Sequence, residues 1–194
     1  MKSLNKRDFP YRNIISKNKE ITLQSIVPLK SHNKIVKPPG LWYGIRHSWA
    51  EWLFNLDLDI TCKNTSKEIY NVSNLYKLII KKESTTDINN PNKNKILIIK
   101  KVIDFVKFTK KFSIKDKNKK KFCTQIKWYD VMKYFGGIEI PILNYKLHNY
   151  MAGIYYSQNN NDLYSDISGW YYGWDVASGC IWNNNVPHEI IKII

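Results

Sequence analysis

Two acidic residues lie among aromatic and apolar neighbours, where a carboxylate could act in catalysis. Asp175 belongs to the segment 174–179 (Trp-Asp-Val-Ala-Ser-Gly), and desolvation beside the rings would raise its pKa unless it is hydrogen-bonded. Glu139 alternates with Ile138 and Ile140 in a predicted strand, so its side chain points away from the face that those two share. We predict that Asp175 and Glu139 are the catalytic acids. The alternatives are a turn-forming Asp175 that binds backbone amides and a solvent-exposed Glu139.

Aromatic and cationic residues near these acids are suited to binding a nucleotide. The segments 40–52 and 168–183 each contain three of the seven Trp. Such rings can stack on a flat base, and a forked guanidinium binds phosphate. Arg46 and His47 follow a predicted strand and precede a predicted helix, whose N-terminus favours anions. The predicted cofactor-binding residues are Tyr43, Arg46, His47, Tyr171, Trp174 and Ser178. The alternatives are core packing for the rings, a surface position for Arg46 and a half-buried His47.

The net charge of +15, from 31 basic and 16 acidic residues, favours a polyanionic partner. The charge is concentrated in residues 93–127, which contain 13 Lys and 2 Asp. Lysines on phosphates would give a salt-dependent, sequence-independent affinity for nucleic acid. The predicted nucleic-acid-binding residues are Lys110, Lys111, Lys119, Lys120 and Lys121. The alternatives are a solvated insertion near 113–121 and the codon bias of an AT-rich genome.

Several classes of site and location are disfavoured by the sequence. It contains no P-loop, GxGxxG, HExxH or GxSxG pattern, and no close pair of carboxylates typical of a glycosidase. Its four His are scattered and its three Cys are far apart, so we expect no metal site and no disulfide framework. The absence of a signal peptide and of a long apolar run predicts an intracellular protein that is not secreted and has no membrane partner.

The pattern of short apolar runs predicts an α+β fold in one compact domain of short strands with two or three helices, with a split sheet as one arrangement of the strands. Residues 1–37 are predicted to form a basic arm, and residues 38–194 the domain, with a Lys-rich insertion near 113–121. Within the domain we predict strands at 41–43, 96–99 and 138–140 and a loop at 84–95. The tail 186–194 is predicted to add an element that could close the sheet.

Three helices are predicted from apolar spacing. The first runs from about Trp49 to Leu56 and begins with a capping box formed by Ser48 and Glu51. The second covers 102–112. The third covers 126–135 and is predicted to stop at Gly136-Gly137.

Three segments together are similar to a group of uncharacterised proteins from large DNA viruses and phages. They are 37–43 (Lys-Pro-Pro-Gly-Leu-Trp-Tyr), 128–140 ending in Gly-Gly-Ile-Glu-Ile, and 170–182 (Trp-Tyr-Tyr-Gly-Trp-Asp-Val-Ala-Ser-Gly-Cys-Ile-Trp). The group's motifs read K-P-x-G-L-W, Y-D-G-I-E-I and W-Y-Y-x-W-D-C-A-S-G-C-I-W. Gly136 stands where the second motif has Asp, so any role of that Asp is lost here.

The order of these elements also resembles ADP-ribosyltransferase-type domains, which bind NAD in the cleft of a split sheet. The resemblance implies that an aromatic residue stacks on the nicotinamide and that a late acid acts in transfer. The matching positions are Tyr43, Tyr171 and Glu139 or Asp175. The chain departs from the family pattern because it has no late Glu-x-Glu and no clear His-Tyr-Glu set.

Three functions therefore remain open. The first is a transferase that uses a nucleotide cofactor, which the resemblance suggests is NAD. The second is a non-catalytic protein that binds nucleic acid or another polyanion, and the third is a basic virion component.

Overall fold

A mixed eight-stranded sheet forms the centre of the protein. The structure, a computed structural model, describes residues 2–4, 9–16, 19–21, 37–50, 70–72, 74–114, 125–141, 170, 174 and 176–194. The sheet is curled into a half-barrel, and with its helices it forms a single compact α+β domain in which strands dominate, as the sequence predicts.

The strands are β1 (Lys2–Leu4), β2 (Arg12–Ser16), β3 (Leu41–Ile45), β4 (Tyr70–Val72), β5 (Asn74–Ile79), β6 (Thr85–Thr86), β7 (Asn92–Ile98), β8 (Phe135–Ile140), β9 (Ser178–Ile181) and β10 (Glu189–Lys192). The helices are α1 (Val102–Phe112) and α2 (Trp128–Tyr134), with a 3-10 turn at Lys82–Ser84 and helical residues at 48–50.

The order of strands in the large sheet is β10-β5-β2-β3-β9-β8-β7-β6, while β1 and β4 form a separate antiparallel pair. The pairs β6–β7 and β7–β8 are parallel, and the other pairs are antiparallel. The eight strands thus make one continuous sheet rather than a split one. Its central strands β3, β9 and β8 lie largely within the segments 37–43, 170–182 and 128–140.

Helices α1 and α2 pack on one face of the sheet over an aromatic core. On α1, Phe105, Phe108 and Phe112 recur at helical spacing and are buried. The sheet contributes alternate residues such as Ile138 and Cys180 to the same cluster. Four buried tryptophans complete it, namely Trp128, Trp170, Trp174 and Trp182.

The opposite face of the sheet holds a second core. It is built from the other set of alternating residues, including Ile14, Ile96 and Ile181, and it contains Tyr43. Because neighbouring residues in a strand point to opposite faces, each central strand contributes to both cores. This alternation places Glu139 on the face opposite Ile138 and Ile140, as the sequence predicts, and that face also carries Tyr43.

Most elements expected in the domain are present. The strand at 41–43, the helix at 102–112 and the C-terminal element are confirmed, and the last of these pairs with β5 at one edge of the sheet. The third helix is confirmed but shorter, and Gly136 and Gly137 lie in β8 instead of stopping it. A Cβ at Gly137 would lie 2.7 Å from the Cys180 oxygen, so close strand packing is the reason for glycine there.

One local prediction is wrong. The predicted loop at 84–95 contains β6 and the first residues of β7, because both strands are polar there and carry no apolar signal. The Ser48 hydroxyl donates to the Ala177 oxygen at 2.7 Å and accepts from the Ile45 amide at 3.2 Å. It therefore links β3 to the approach to β9. Residues 48–50 are helical, and Glu51 with the rest of the predicted first helix lies outside the described residues, so the capping box stays a prediction.

The prediction of a separate N-terminal arm is wrong for residues 12–16. These residues form β2, which pairs with β3 on one side and β5 on the other. Their short apolar pair, Ile14-Ile15, is surrounded by charged and polar residues, so the strand has a weak signal in the sequence. The strand predicted at 21–27 lies almost wholly outside the described residues.

We predict that removing residues 1–37 abolishes cooperative unfolding, because the gap left by β2 would separate β3 from β5. Circular dichroism during thermal and urea unfolding measures this. The matched control removes residues 1–8, which leaves β2 in place and should retain a cooperative transition. A cooperative transition of unchanged midpoint in the 38–194 variant would contradict the placement of β2.

Candidate functional site

The carboxylate of Glu139 is buried and held by two side chains from other strands. Arg12 donates from Nε to Oε2 at 2.6 Å and from Nη2 to Oε1 at 3.1 Å. The Tyr43 hydroxyl donates to Oε2 at 2.8 Å. Glu139 is 1% exposed and Tyr43 is fully buried, so the carboxylate is bound by a forked, charge-assisted pair in a site with little water. We refer to Arg12, Tyr43 and Glu139 as the carboxylate cluster.

The register of the central strands creates this cluster. Glu139 on β8 faces Gly179 on β9, and Gly179 faces Tyr43 on β3. Since Gly179 has no side chain, the Tyr43 ring lies across β9 and its hydroxyl reaches β8. A Cβ at Gly179 would collide with Cζ and the hydroxyl of Tyr43. Arg12 comes from β2, where it pairs with Ile45 of β3.

Burial and charge set the protonation of the cluster. Burial raises the pKa of Tyr43 well above its ordinary value, and the neighbouring Glu139 charge raises it further. Burial alone would lower the pKa of Arg12, but its hydrogen bond and ion pair with Glu139 outweigh that effect and raise the pKa overall. Tyr43 therefore remains a neutral donor and Arg12 a cation, and both stabilise a negative charge on Glu139.

The cluster is most exposed at Arg12, whose side chain is 16% exposed. The Arg12 guanidinium lies 5.2 Å from the ring centroid of Tyr11, which is 46% exposed. Arg46 is also exposed, and its amide donates to the Tyr11 oxygen at 2.8 Å. Arg46 has φ 53°, a left-handed conformation that is unusual for a side chain of this size, and the Asn13 amide group donates to its carbonyl. Tyr11, Arg12 and Arg46 thus form a rim beside the cluster.

The predicted cofactor-binding residues are not all brought together. Trp174 is buried on the helix side, stacked on Trp128 with ring centroids 5.9 Å apart. Tyr43 is buried on the opposite face, so the two rings cannot stack on one base, and the predicted shared stacking site is wrong. The Ser178 hydroxyl donates to the Val176 oxygen at 2.9 Å, and His47 is partly buried beside Arg46.

The predicted acids and lysines have different outcomes. Glu139 is buried, so the alternative of a solvent-exposed carboxylate is wrong. Asp175 and Tyr171 lie outside the described residues, as do Lys119, Lys120 and Lys121. Lys110 and Lys111 are exposed on α1, on the face of the sheet opposite the carboxylate cluster.

Tyr11, Arg12 and Asn13 are the site residues that sequence reasoning missed. Their segment was assigned to an arm, and no motif marks it. One signal was available, because the chain has only three Arg, namely Arg7, Arg12 and Arg46, beside 28 Lys. In a chain so rich in lysine, an arginine indicates a position that requires a forked, permanently charged donor.

Within the described part of the chain, no cluster of three or more His, Cys, Asp or Glu could hold a metal ion. Among the same residues no helix is long and apolar enough to cross a membrane. Cys180 is a free, buried thiol whose pKa is raised by burial, so it packs as an apolar side chain under the sheet.

Comparison with protein-family models, with curated proteins and with solved structures found no match for this chain. The similarity of the segments 37–43, 128–140 and 170–182 to proteins of large DNA viruses and phages therefore stays a prediction.

We predict that wild-type stability decreases above pH about 10 more steeply than that of Tyr43→Phe. Tyr43 is protonated in both states at lower pH, so its contribution is fully present there. Above its unfolded pKa the unfolded chain loses the proton while the folded chain keeps it, so the free energy of unfolding falls by about 1.4 kcal/mol per pH unit until the folded pKa is reached. Urea unfolding between pH 8 and 11 measures both proteins.

Cys180 adds a slope of the same sign, but it is present in both proteins and cancels in their difference. At neutral pH, Tyr43→Phe should cost about 1.5–3 kcal/mol, the typical value of a hydrogen bond to a charged group. Parallel pH profiles would contradict the buried Tyr43–Glu139 bond.

We predict that Gly179→Ala lowers the free energy of unfolding by about 1–3 kcal/mol, because the new methyl group displaces the Tyr43 ring. Thermal and urea unfolding of a double-mutant cycle measure the coupling. Combining Gly179→Ala with Tyr43→Leu should cost less than the sum of the single changes, since the shorter side chain leaves space for the methyl group. Additive costs would show that Tyr43 does not lie over Gly179.

Proposed function

We propose that the chain is a transferase that uses a nucleotide of the NAD type, with Glu139 as its catalytic carboxylate. The observation that carries the proposal is the buried carboxylate cluster, in which Arg12 and Tyr43 fix both oxygens of Glu139. The resemblance in element order to ADP-ribosyltransferase-type domains, where a late acid acts in transfer, suggests the same acid, but the continuous sheet differs from the split sheet of those domains.

Stability alone is a weak reason to place this cluster in the sheet. Removing an ion pair from water costs several kcal/mol per ion, and apolar residues of similar volume are often at least as stabilising. The surrounding residues on this face, such as Ile14, Ile96 and Ile181, are apolar and well buried. A catalytic role therefore explains the charged cluster among these apolar residues better than a contribution to stability does.

A fixed carboxylate in a site with little water is suited to glycosyl transfer. When bound, NAD supplies a glycosidic bond: the bond from the sugar carbon to the nicotinamide nitrogen breaks, its electron pair goes to that nitrogen, and an acceptor nucleophile bonds to the carbon and loses its proton. Positive charge develops on the sugar in such reactions, and a preorganised carboxylate stabilises it. Glu139 would provide that charge, while Arg12 and Tyr43 hold its oxygens in place.

The rim of the cluster fits the charge of a dinucleotide. Arg46 is exposed beside Tyr11 and Arg12, where a guanidinium can bind a pyrophosphate. The left-handed backbone at Arg46 is held by the Asn13 side chain and the Tyr11 carbonyl. The exposed ring of Tyr11 is placed to contact a base, a role expected of Tyr43 from the sequence.

We expect wild-type protein to bind NAD, with a raised thermal midpoint, and to release nicotinamide from it. Glu139→Gln should lower the rate of release by about 100-fold or more, because the amide cannot stabilise developing positive charge. Arg46→Gly should weaken NAD binding while keeping the fold, since glycine readily adopts the left-handed conformation there. Chromatographic detection of nicotinamide and thermal shifts in NAD measure these effects.

Glu189→Gln is the matched control, because Glu189 is an exposed carboxylate on the edge strand β10. It should behave as wild type. Glu139→Gln leaves Arg12 without its counterion, so its unfolding must also be measured without NAD, and Tyr43→Phe provides a milder variant with the carboxylate intact. Wild-type protein that neither binds NAD nor releases nicotinamide would overturn the proposal.

A further inference from the structure

The outer face of α1 is strongly basic. Residues 100–112 contain five lysines and one carboxylate, Asp104. All five lysines are exposed, at positions 100, 101, 107, 110 and 111. The inner face of the same helix buries Phe105, Phe108 and Phe112, so its packing fixes the direction in which the lysines point.

Tyrosine rings lie next to this basic face. Tyr134, at the end of α2, is 43% exposed and packs on Phe112 with ring centroids 5.9 Å apart. Lys111 Nζ lies 4.7 Å from the centroid of the Tyr134 ring. A second pair on α2 brings Lys133 Nζ to 4.2 Å from the Tyr129 ring centroid. Two lysine–tyrosine pairs, Lys111 with Tyr134 and Lys133 with Tyr129, thus lie on the neighbouring helices α1 and α2.

We propose that this surface binds single-stranded nucleic acid. We define the Lys–Tyr surface as Lys107, Lys110 and Lys111 of α1 together with Tyr129 and Tyr134 of α2. Single-strand sites combine cations that follow the backbone phosphates with rings on which bases stack. Lys111 and Tyr134 are close enough for one nucleotide to place its phosphate on the ammonium and its base against the ring.

The three lysines of the Lys–Tyr surface lie close together on α1. Like charges three or four residues apart on a helix, such as Lys107 with Lys110 and Lys111, repel each other. Lys107 also donates to the exposed Asn89 side chain at 3.2 Å, and Lys133 is paired with Asp130 at 3.0 Å. A polyanion laid along α1 would relieve the repulsion. An acidic peptide could do so too, but it would not use the exposed tyrosine ring.

The Lys–Tyr surface is on the face of the sheet opposite the carboxylate cluster, because α1 and α2 pack against the other set of alternating strand residues. Binding there is therefore independent of the proposed transferase activity. The predicted lysines Lys119, Lys120 and Lys121 follow α1 in the chain and extend the basic sequence.

Fluorescence anisotropy with a labelled oligothymidylate of about 12 nucleotides tests the proposal. The comparison ligands are a duplex of the same length and a polyglutamate peptide of similar charge. We expect the single strand to bind most tightly, with an affinity that falls as salt rises. The triple variant Lys107→Gln, Lys110→Gln, Lys111→Gln should weaken binding about 10-fold or more at low salt and reduce the salt dependence.

Tyr134→Ala should weaken single-strand binding by about 5-fold or more without changing the salt dependence, because it removes a stacking ring and no charge. The matched charge control is the triple variant Lys77→Gln, Lys81→Gln, Lys192→Gln, whose three exposed lysines lie near the other edge of the sheet. Equal loss in that control, equal affinity for polyglutamate or for the duplex, or single-strand binding that is unchanged in Tyr134→Ala would each overturn the proposal. The nucleic-acid proposal does not depend on the NAD proposal, so an absence of nicotinamide release would contradict only the latter.

Discussion

The Arg12–Glu139 ion pair is the interaction on which the centre of the sheet depends. Its partners are 127 residues apart in the chain and meet across two intervening strands. A buried carboxylate without its partner carries a large desolvation cost, so the pair requires β2, β3, β9 and β8 to assemble in one register. A slip of one residue in β8 would turn Glu139 into the aromatic core and leave Arg12 facing apolar side chains.

That register explains why small residues lie in the central strands. Gly179 leaves the space that the Tyr43 ring fills, and Gly137 allows β8 to approach β9 closely. The same strands present Trp42, Ile138 and Cys180 to the helices on their other side. One sheet thereby separates a nearly all-apolar aromatic core from a core that contains a charged cluster. The proposed transferase site and the proposed nucleic-acid surface consequently lie on opposite sides of the molecule.

Periodicity in the sequence was sufficient to predict features that depend on a single helix or strand. The apolar spacing of 102–112 predicted α1, and alternation in 138–140 predicted the side of the sheet to which Glu139 points. Partners of these elements could not be predicted in the same way. The role of Arg12 depends on the pairing of β2 with β3. The role of Tyr43 depends on the register of β3, β9 and β8, which aligns it with Glu139 across Gly179. The aromatic residues around 174 indicated a binding site by composition, yet Trp174 packs against Trp128 because a large core needs large side chains.

The pairing of β3 with β9 has a consequence for synthesis on the ribosome. Leu41 pairs with Ile181 and Gly44 with Ser178, so β3 is synthesised long before β9, the strand with which it pairs. At the other end of the sheet, β5 lies between β2 and β10, which come from opposite ends of the sequence. An emerging chain can form α1 from local contacts, but its half-barrel closes only after β9 and β10 have left the exit tunnel. Such long-range pairing slows folding, and until it is complete the unpaired edges of β3 and β5 are open to other chains.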